Sequence, residues 1–298
     1  MENLIECPVC ASTIFQQYLE VVDHTVTQQA FKIQQCEKCD FLFTNPRPTE
    51  QEIGKYYQSQ DYISHHDEAK DIMSRVYNSV RNYTLKEKLK LINSLVPGKG
   101  NLLDIGCGTG SFLQTCRQDH WKTVGTEPDE EARKIATNRT QGEIFESINQ
   151  VKSAAKSFQI ITMWHVLEHV HQLNETMDWL QKKLDNQGKI IIAVPNPQSE
   201  DAAKYGAFWA AYDVPRHLYH FTKGSMQTLL DKHHLKIDSI KPMWFDSYYV
   251  SMLSTKYQYG KTKLLNSFIT GSQSNLKGKS DTNNPYNTSS LIYIVSKK

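Results

Sequence analysis

Leu102-Leu-Asp-Ile-Gly-Cys-Gly-Thr-Gly110 sets three glycines at alternate positions behind an apolar run, with Asp104 two residues before the first of them. Leu102, Leu103 and Ile105 read as the end of a buried strand. Gly106, Gly108 and Gly110 let the backbone turn tightly and approach a ligand with no Cβ in the way. Ser111-Phe-Leu-Gln-Thr-Cys116 then opens a helix whose unpaired N–H groups point into that turn. A second apolar run, Trp121-Lys-Thr-Val-Gly-Thr126, ends at Glu127, where a carboxylate is placed to accept the two hydroxyls of a ribose. The implied chemistry is the binding of an adenosine-like cofactor at the edge of an α/β sheet.

The spacing of the glycines narrows the cofactor. A dinucleotide fingerprint, G-x-G-x-x-G, needs its third glycine at position 111, which is Ser111. A carboxylate beside the loop suits a cation better than a pyrophosphate, and S-adenosylmethionine carries a sulfonium and an ammonium where NAD carries two phosphates. The pattern resembles motif I of the class I S-adenosylmethionine-dependent methyltransferases, with Glu127 as their ribose-binding acid. The resemblance covers about 99–298. It implies a seven-stranded Rossmann-like sheet with Asp104, Gly106, Gly108, Gly110, Glu127, Pro128, Trp164 and His165 around the cofactor.

Cys7-Pro-Val-Cys10 and Cys36-Glu-Lys-Cys39 form two C-x-x-C knuckles in the arrangement of a zinc ribbon. The two-residue gap lets both thiolates of a knuckle face one tetrahedral ion, and the stretch from Tyr18 to Gln34 reads as a β-hairpin returning the second pair to the first. So short a module buries too little core to stand alone, so a structural zinc is expected on these four cysteines. Cys107 and Cys116 stand apart and read as packing residues.

Two further stretches carry residues able to move protons. Phe158-Gln-Ile-Ile-Thr-Met163 reads as the fourth strand, delivering Trp164-His-Val-Leu-Glu-His169 at its tip. This string resembles the segment after the fourth strand of ubiquinone-biosynthesis O-methyltransferases, which makes His165 the first choice for contact with cofactor or substrate. His165-x-x-Glu168-His169 also matches a zinc-peptidase motif, but that motif needs a long helix. Capping or packing is the plainer reading of Glu168 and His169; whether they bind a second ion is left open. Further on, Phe208-Trp-Ala-Ala-Tyr-Asp-Val-Pro-Arg-His-Leu-Tyr-His-Phe221 gathers Arg216, His217 and His220 among aromatics. It looks like a Pro-Arg-His-Leu-x-His-Phe signature of bacterial methyltransferases. His217 or His220 is a candidate base, since imidazole titrates near neutrality. Arg216 is a candidate anchor for a phosphate or carboxylate on the substrate.

The elements that must position these residues follow from periodicity. Strands are expected near 101–105, 121–126, 143–146, 158–163, 189–194, 235–241 and 290–296, with helices between them. The chain divides in sequence order into a zinc ribbon over 1–45, a helical linker or cap over 46–98 with a helix from about 68 to 95, and a catalytic domain over 99–298. Lid insertions are expected near 195–222 and 245–288, the second with a polar, glycine-rich loop over 271–284. A basic run, Arg81, Lys86, Lys88 and Lys90, reads as a solvated helix face.

Composition limits the partners. A net charge of +2 gives no strong field for nucleic acid or an anionic membrane. The longest apolar runs, such as Ile190-Ile-Ile-Ala-Val194, are strand-sized, and Met1-Glu-Asn-Leu-Ile-Glu-Cys7 lacks the pattern of a secretory signal. The expectation is a cytoplasmic enzyme that methylates a small-molecule acceptor on oxygen or carbon, a sugar or another hydroxylated metabolite. RNA methylation and a non-catalytic cofactor-binding scaffold are the alternatives. The sequence identifies neither the acceptor nor the oligomeric state.

Overall fold

Short apolar runs alternate with helical stretches after Asn101, and they fold into an α/β sheet as that alternation requires. The computed structural model describes residues 1–57, 72–151, 157–280 and 286–298. The stretch 61–66, which reads in sequence as a polar link, and the start of the helix read at 68 lie outside them, as do the side chains of 72–78 and 277–280. The elements run β1 (Phe15–Val22), β2 (Ala30–Cys36), β3 (Leu42–Thr44), α1 (Ile72–Leu95), β4 (Asn101–Ile105), α2 (Ser111–Gln118), β5 (Lys122–Thr126) and α3 (Glu130–Thr140). Then come β6 (Glu143–Phe145), β7 (Phe158–Trp164), α4 (Leu173–Lys183), β8 (Leu184–Pro195), α5 (Glu200–Tyr205), β9 (Tyr219–His220) and α6 (Lys223–Lys232). The chain finishes with β10 (Leu235–Pro242), α7 (Asp246–Tyr259), α8 (Leu264–Ser280) and β11 (Ser290–Lys297).

The seven-stranded sheet has the order β10-β11-β8-β7-β4-β5-β6. Strands β4, β5, β6 and β7 pair in parallel, with Leu103 opposite Val124 on one side and Ile161 on the other. Leu102, Leu103, Ile160, Ile161 and Met163 are fully buried, as strands covered on both faces require. Among the described residues, no helix is long and apolar enough to cross a membrane.

A second sheet, β1-β2-β3-β9, is four-stranded and antiparallel. Its β1–β2 hairpin is the one expected between the cysteine knuckles. Asp23 closes its turn, accepting from the N–H groups of Thr25, Val26 and Thr27. The fourth strand comes from far along the chain: Leu42 pairs with His220 and Phe43 with Tyr219. β3 is buried throughout and needs a partner on its outer edge.

The described residues form two compact units, Met1–His65 with His165–Met177 and Ile192–Ile294, and His66–Trp164 with Asp178–Ile191 and Val295–Lys298. Each unit draws on discontinuous stretches of the chain. The glycine-rich loop expected from 271 is also different: its first part is helix, within α8. Ser267, Thr270 and Ser274 are buried along this helix at helical spacing, a hydroxyl stripe in place of an apolar one. Ser267 bonds Thr255 of α7, and a Cβ at Gly271 would meet Tyr248 of α7 at 2.8 Å. Small residues let the two helices approach closely, which hides them from a search for hydrophobic periodicity.

Candidate functional site

In the unit containing the glycine loop, β4 ends at Ile105 and the chain turns through Gly106, Gly108 and Gly110 with φ of 67°, 53° and 77°. That left-handed backbone favours glycine at each position. A Cβ at Gly108 would meet nothing within 4 Å, so the loop has an open side. Glu127, just past β5, spans the turn: Oε2 accepts from Gly108 N–H at 2.8 Å and Oε1 from Asp129 N–H at 3.0 Å. Burial raises its pKa against the lowering effect of those two N–H groups. Pro128 follows it, its carbonyl accepting from Arg133.

Asp104 is buried beneath the loop, with Oδ1 accepting from Thr162 Oγ1 of β7 at 2.6 Å. Burial pushes its pKa up to about 7, although Thr162 and the charge of Lys88 both lower it. Lys88 of α1 stands 4.1 Å from the ring centroid of Trp164, which meets Phe112 edge-on. The indole N–H of Trp164 is buried without a hydrogen-bond partner among the described residues. Arg81 and Arg139 both donate to Ser111 Oγ at the start of α2. Two members of the basic run read as solvated, Arg81 and Lys88, therefore serve this site. Their positions on one helix face carried the signal, but a partner so distant in sequence did not.

The other unit holds the histidines. His165 follows the tip of β7 with φ of 58°, a strained conformation for a non-glycine residue. Its Nδ1 lies 3.3 Å from Glu168 Oε1 and its Nε2 4.0 Å from Asp246 Oδ2, and its side chain is 29% exposed. Asp246, which opens α7, had no sequence signal. Burial alone would raise the pKa of Glu168, but the His165 bond and the charges of His165, His217 and His169 bring it below the ordinary value. Burial and then His217 push His169 down to about 4. Burial likewise holds His220 well below its ordinary value.

Arg216, His217 and His220 are 1%, 8% and 2% exposed. Arg216 donates to Asp213, Asp23, Thr25 and the carbonyl of Tyr56, at 2.7 to 3.1 Å. His220 lies edge-on to Tyr212 with centroids 5.4 Å apart. Within this unit the fold brings His165, Glu168, His169 and His217 together, and it buries Arg216 in a pair of carboxylates.

The four knuckle cysteines also converge. Cys7 and Cys39 sulfurs are 3.6 Å apart and those of Cys10 and Cys36 3.5 Å, with all four within 4.8 Å of one another. Both knuckles follow one design: the residue after the second cysteine, Ala11 or Asp40, is left-handed and returns its N–H to the carbonyl of the first. A tetrahedral zinc with bonds of about 2.3 Å places its sulfurs about 3.8 Å apart, so the cluster fits that ion. Burial pushes the Cys7 thiol up to about 12, which leaves it protonated in the absence of a cation.

The methyltransferase domain family matches residues 77–240, more than half of the chain, and the chain belongs to that family. An uncharacterized methyltransferase of Alkaliphilus oremlandii (strain OhILAs) is 28% identical over 106 residues. That match takes in 35% of this chain and 49% of the relative, so it spans about half of the relative's length. Among solved structures, magnesium protoporphyrin IX methyltransferase from Synechocystis PCC 6803, with bound SAH, aligns with a TM-score of 0.52 at 12% identity. The alignment covers 82% of this chain and 97% of that one, and it is a likeness of fold. A SAM dependent methyltransferase from Archaeoglobus fulgidus aligns over 76% of this chain and 100% of its own, with a TM-score of 0.49 at 19% identity.

Proposed function

We propose that this chain transfers a methyl group from S-adenosylmethionine to a small-molecule acceptor. The observation that carries the reading is the setting of Glu127, a half-buried carboxylate drawn onto the N–H of Gly108 beside the open side of the glycine loop. The indole N–H of Trp164, buried without an acceptor among the described residues, is a second group suited to a polar ligand. When bound, S-adenosylmethionine supplies a methyl group activated by a sulfonium.

The chain's residues divide the remaining work. Glu127 accepts the ribose hydroxyls, the glycine loop admits the adenosine, and Asp104 balances the ammonium. Pro128 and Trp164 flank these groups. Holding the acceptor in line contributes most of the acceleration, an effect that reaches roughly 7–11 kcal/mol in favourable systems. The sequence points to His217 or His220 as base, but both are buried, whereas the side chain of His165 is 29% exposed and lies against Glu168. We therefore assign proton acceptance to His165, and interior roles to Arg216, His217 and His220. An acceptor that gives up a proton on methylation, a hydroxyl or an acidic carbon, suits this arrangement. A structural zinc would be held by Cys7, Cys10, Cys36 and Cys39, and the absence of disulfides among the six cysteines suits the cytoplasm.

Calorimetry with S-adenosylhomocysteine and with NAD tests the cofactor, and turnover against hydroxylated metabolites and nucleotide sugars tests the acceptor. Binding of S-adenosylhomocysteine alone, with methyl transfer to one acceptor class, is expected. Binding of NAD instead, or retention on RNA at moderate salt with transfer to it, overturns the reading.

A further inference from the structure

Glu168, His169 and His217 each bring one ligand-type atom to within 4.8 Å of the other two. Glu168 is the informative member. It is fully buried, and its Oε2 has no hydrogen-bond partner among the described residues, while Oε1 is in contact with His165. A carboxylate oxygen stripped of water and left without a donor is strongly disfavoured unless a cation meets it. Arg216, the nearby fixed cation, is committed to Asp213 and Asp23.

The two imidazoles are turned in the same sense. His169 Nδ1 lies 3.0 Å from the carbonyl oxygen of Arg216 and 3.0 Å from the Tyr57 hydroxyl, which can accept as well, and His217 Nδ1 lies 2.9 Å from the carbonyl oxygen of Ala211. A carbonyl only accepts, so each Nδ1 carries the proton and each Nε2 keeps its lone pair. A backbone carbonyl behind the ring is the support that orients an imidazole toward a metal ion. The rings also meet edge-on with centroids 4.6 Å apart, which accounts for their packing. It does not account for Glu168, because neither neutral Nε2 has a hydrogen to offer the carboxylate.

We propose that Glu168, His169 and His217 form a second metal site, where a divalent transition-metal ion is bound by the Glu168 carboxylate and the Nε2 atoms of both histidines. Two imidazoles and a carboxylate suit zinc or ferrous iron and differ in kind from four thiolates. Ligand atoms around such an ion stand about 3–3.5 Å apart, and one ligand-type atom from each of the three residues already lies within 4.8 Å of the others. The ion ties the turn at Leu167–His169 to the segment carrying His217, and it braces His165 through Glu168.

The full chain is saturated with zinc chloride, desalted and analysed for metal. Two zinc ions per chain are expected, with Cys36→Ser retaining one and Glu168→Gln, His169→Gln and His217→Gln each retaining the other. Cobalt(II) titration of the wild-type chain decides the question without reliance on any variant's folding. One equivalent should show intense thiolate charge-transfer absorption, and a second only the weak ligand-field bands of nitrogen and oxygen ligands. A wild-type chain that saturates at one ion or fewer overturns the site. So does a second ion that survives all three glutamine substitutions.

Discussion

Asp104 Oδ1 accepts a 2.6 Å hydrogen bond from Thr162 Oγ1, yet burial still holds the Asp104 carboxyl at about pH 7 for half-ionisation. One strand lends the other a hydroxyl and Lys88 adds a favourable charge, but burial outweighs both. On the proposed reading, a ligand ammonium beneath the glycine loop would favour the ionised form of this carboxyl.

The sign of the pH dependence follows. The folded pKa is raised above the ordinary 3.8, so the native chain keeps a proton that the unfolded chain loses. This group's contribution to stability is full below about pH 4 and is lost as pH rises through 7. Asp104→Asn should remove that slope. Relative to wild type, the ligand-free variant should gain on the order of 2–4 kcal/mol between pH 4 and pH 8, at about 1.4 kcal/mol for each pH unit over which the folded chain holds the extra proton. Chemical denaturation at the two pH values checks this, and an equal difference at both would show an ordinary carboxylate.

Affinity for S-adenosylhomocysteine should change in the complementary way. Its ammonium favours the ionised form, so wild-type binding should strengthen from pH 6 to pH 8 while Asp104→Asn stays flat. Glu127→Ala should weaken binding at every pH by about 10- to 100-fold, the loss of hydrogen bonds to a charged acceptor worth about 1.5–3 kcal/mol. Calorimetry that finds unchanged affinity in Glu127→Ala removes the ribose role.

The glycine loop and its sheet were legible because their signals are local. An apolar run, alternate glycines and a terminal acid fix a strand, a turn and a second strand tip without reference to the rest of the chain, and β4 to β7 lie within a residue or two of the expected spans. Long-range partners were not legible. Nothing local to His220 announces its pairing with Leu42, and nothing near Arg216 announces Asp23. Lys88 and Arg81 carry the pattern of a solvated face until Trp164 and Ser111 come to meet them. The α7–α8 pair escaped because serine and glycine, residues of loops in most sequences, line its contact.

Cys36→Ser should leave three thiolates for a tetrahedral ion and abolish its retention at that cluster. The loss concerns a sheet of three local strands and one distant strand, so loosening should spread beyond the knuckles. Hydrogen exchange should rise over residues 15–44 and also at 219–220. Exchange confined to the hairpin would mean that β9 holds β3 without the metal.

Arg216 tests structure against substrate binding. Its guanidinium is buried between Asp213 and Asp23, so Arg216→Met should leave the buried Asp23 and the half-buried Asp213 without their cation and destabilise the chain by up to about 3–5 kcal/mol. Burial raises the pKa of both acids and the arginine lowers it, so the variant should recover part of its stability at acid pH as they take up protons. Unchanged melting with a raised KM for an anionic acceptor would restore the anchoring role expected from sequence.

His165 carries the sharpest test of the catalytic assignment. Its backbone is left-handed at φ 58°, and alanine there would add strain to the loss of the imidazole. Asparagine tolerates that conformation, so His165→Asn isolates the ring. Turnover should fall by roughly 10²–10⁴-fold if the imidazole accepts the proton, with affinity for S-adenosylhomocysteine nearly unchanged. The loss should shrink toward high pH, where a hydroxyl acceptor ionises without help, and that dependence separates a base from a positioning group. Glu168→Gln should retain the imidazole but remove the charge that orients and supports it, lowering kcat less than His165→Asn does. A His165→Asn enzyme with wild-type kcat at neutral pH would leave methyl transfer to positioning alone, with the acceptor losing its proton to water.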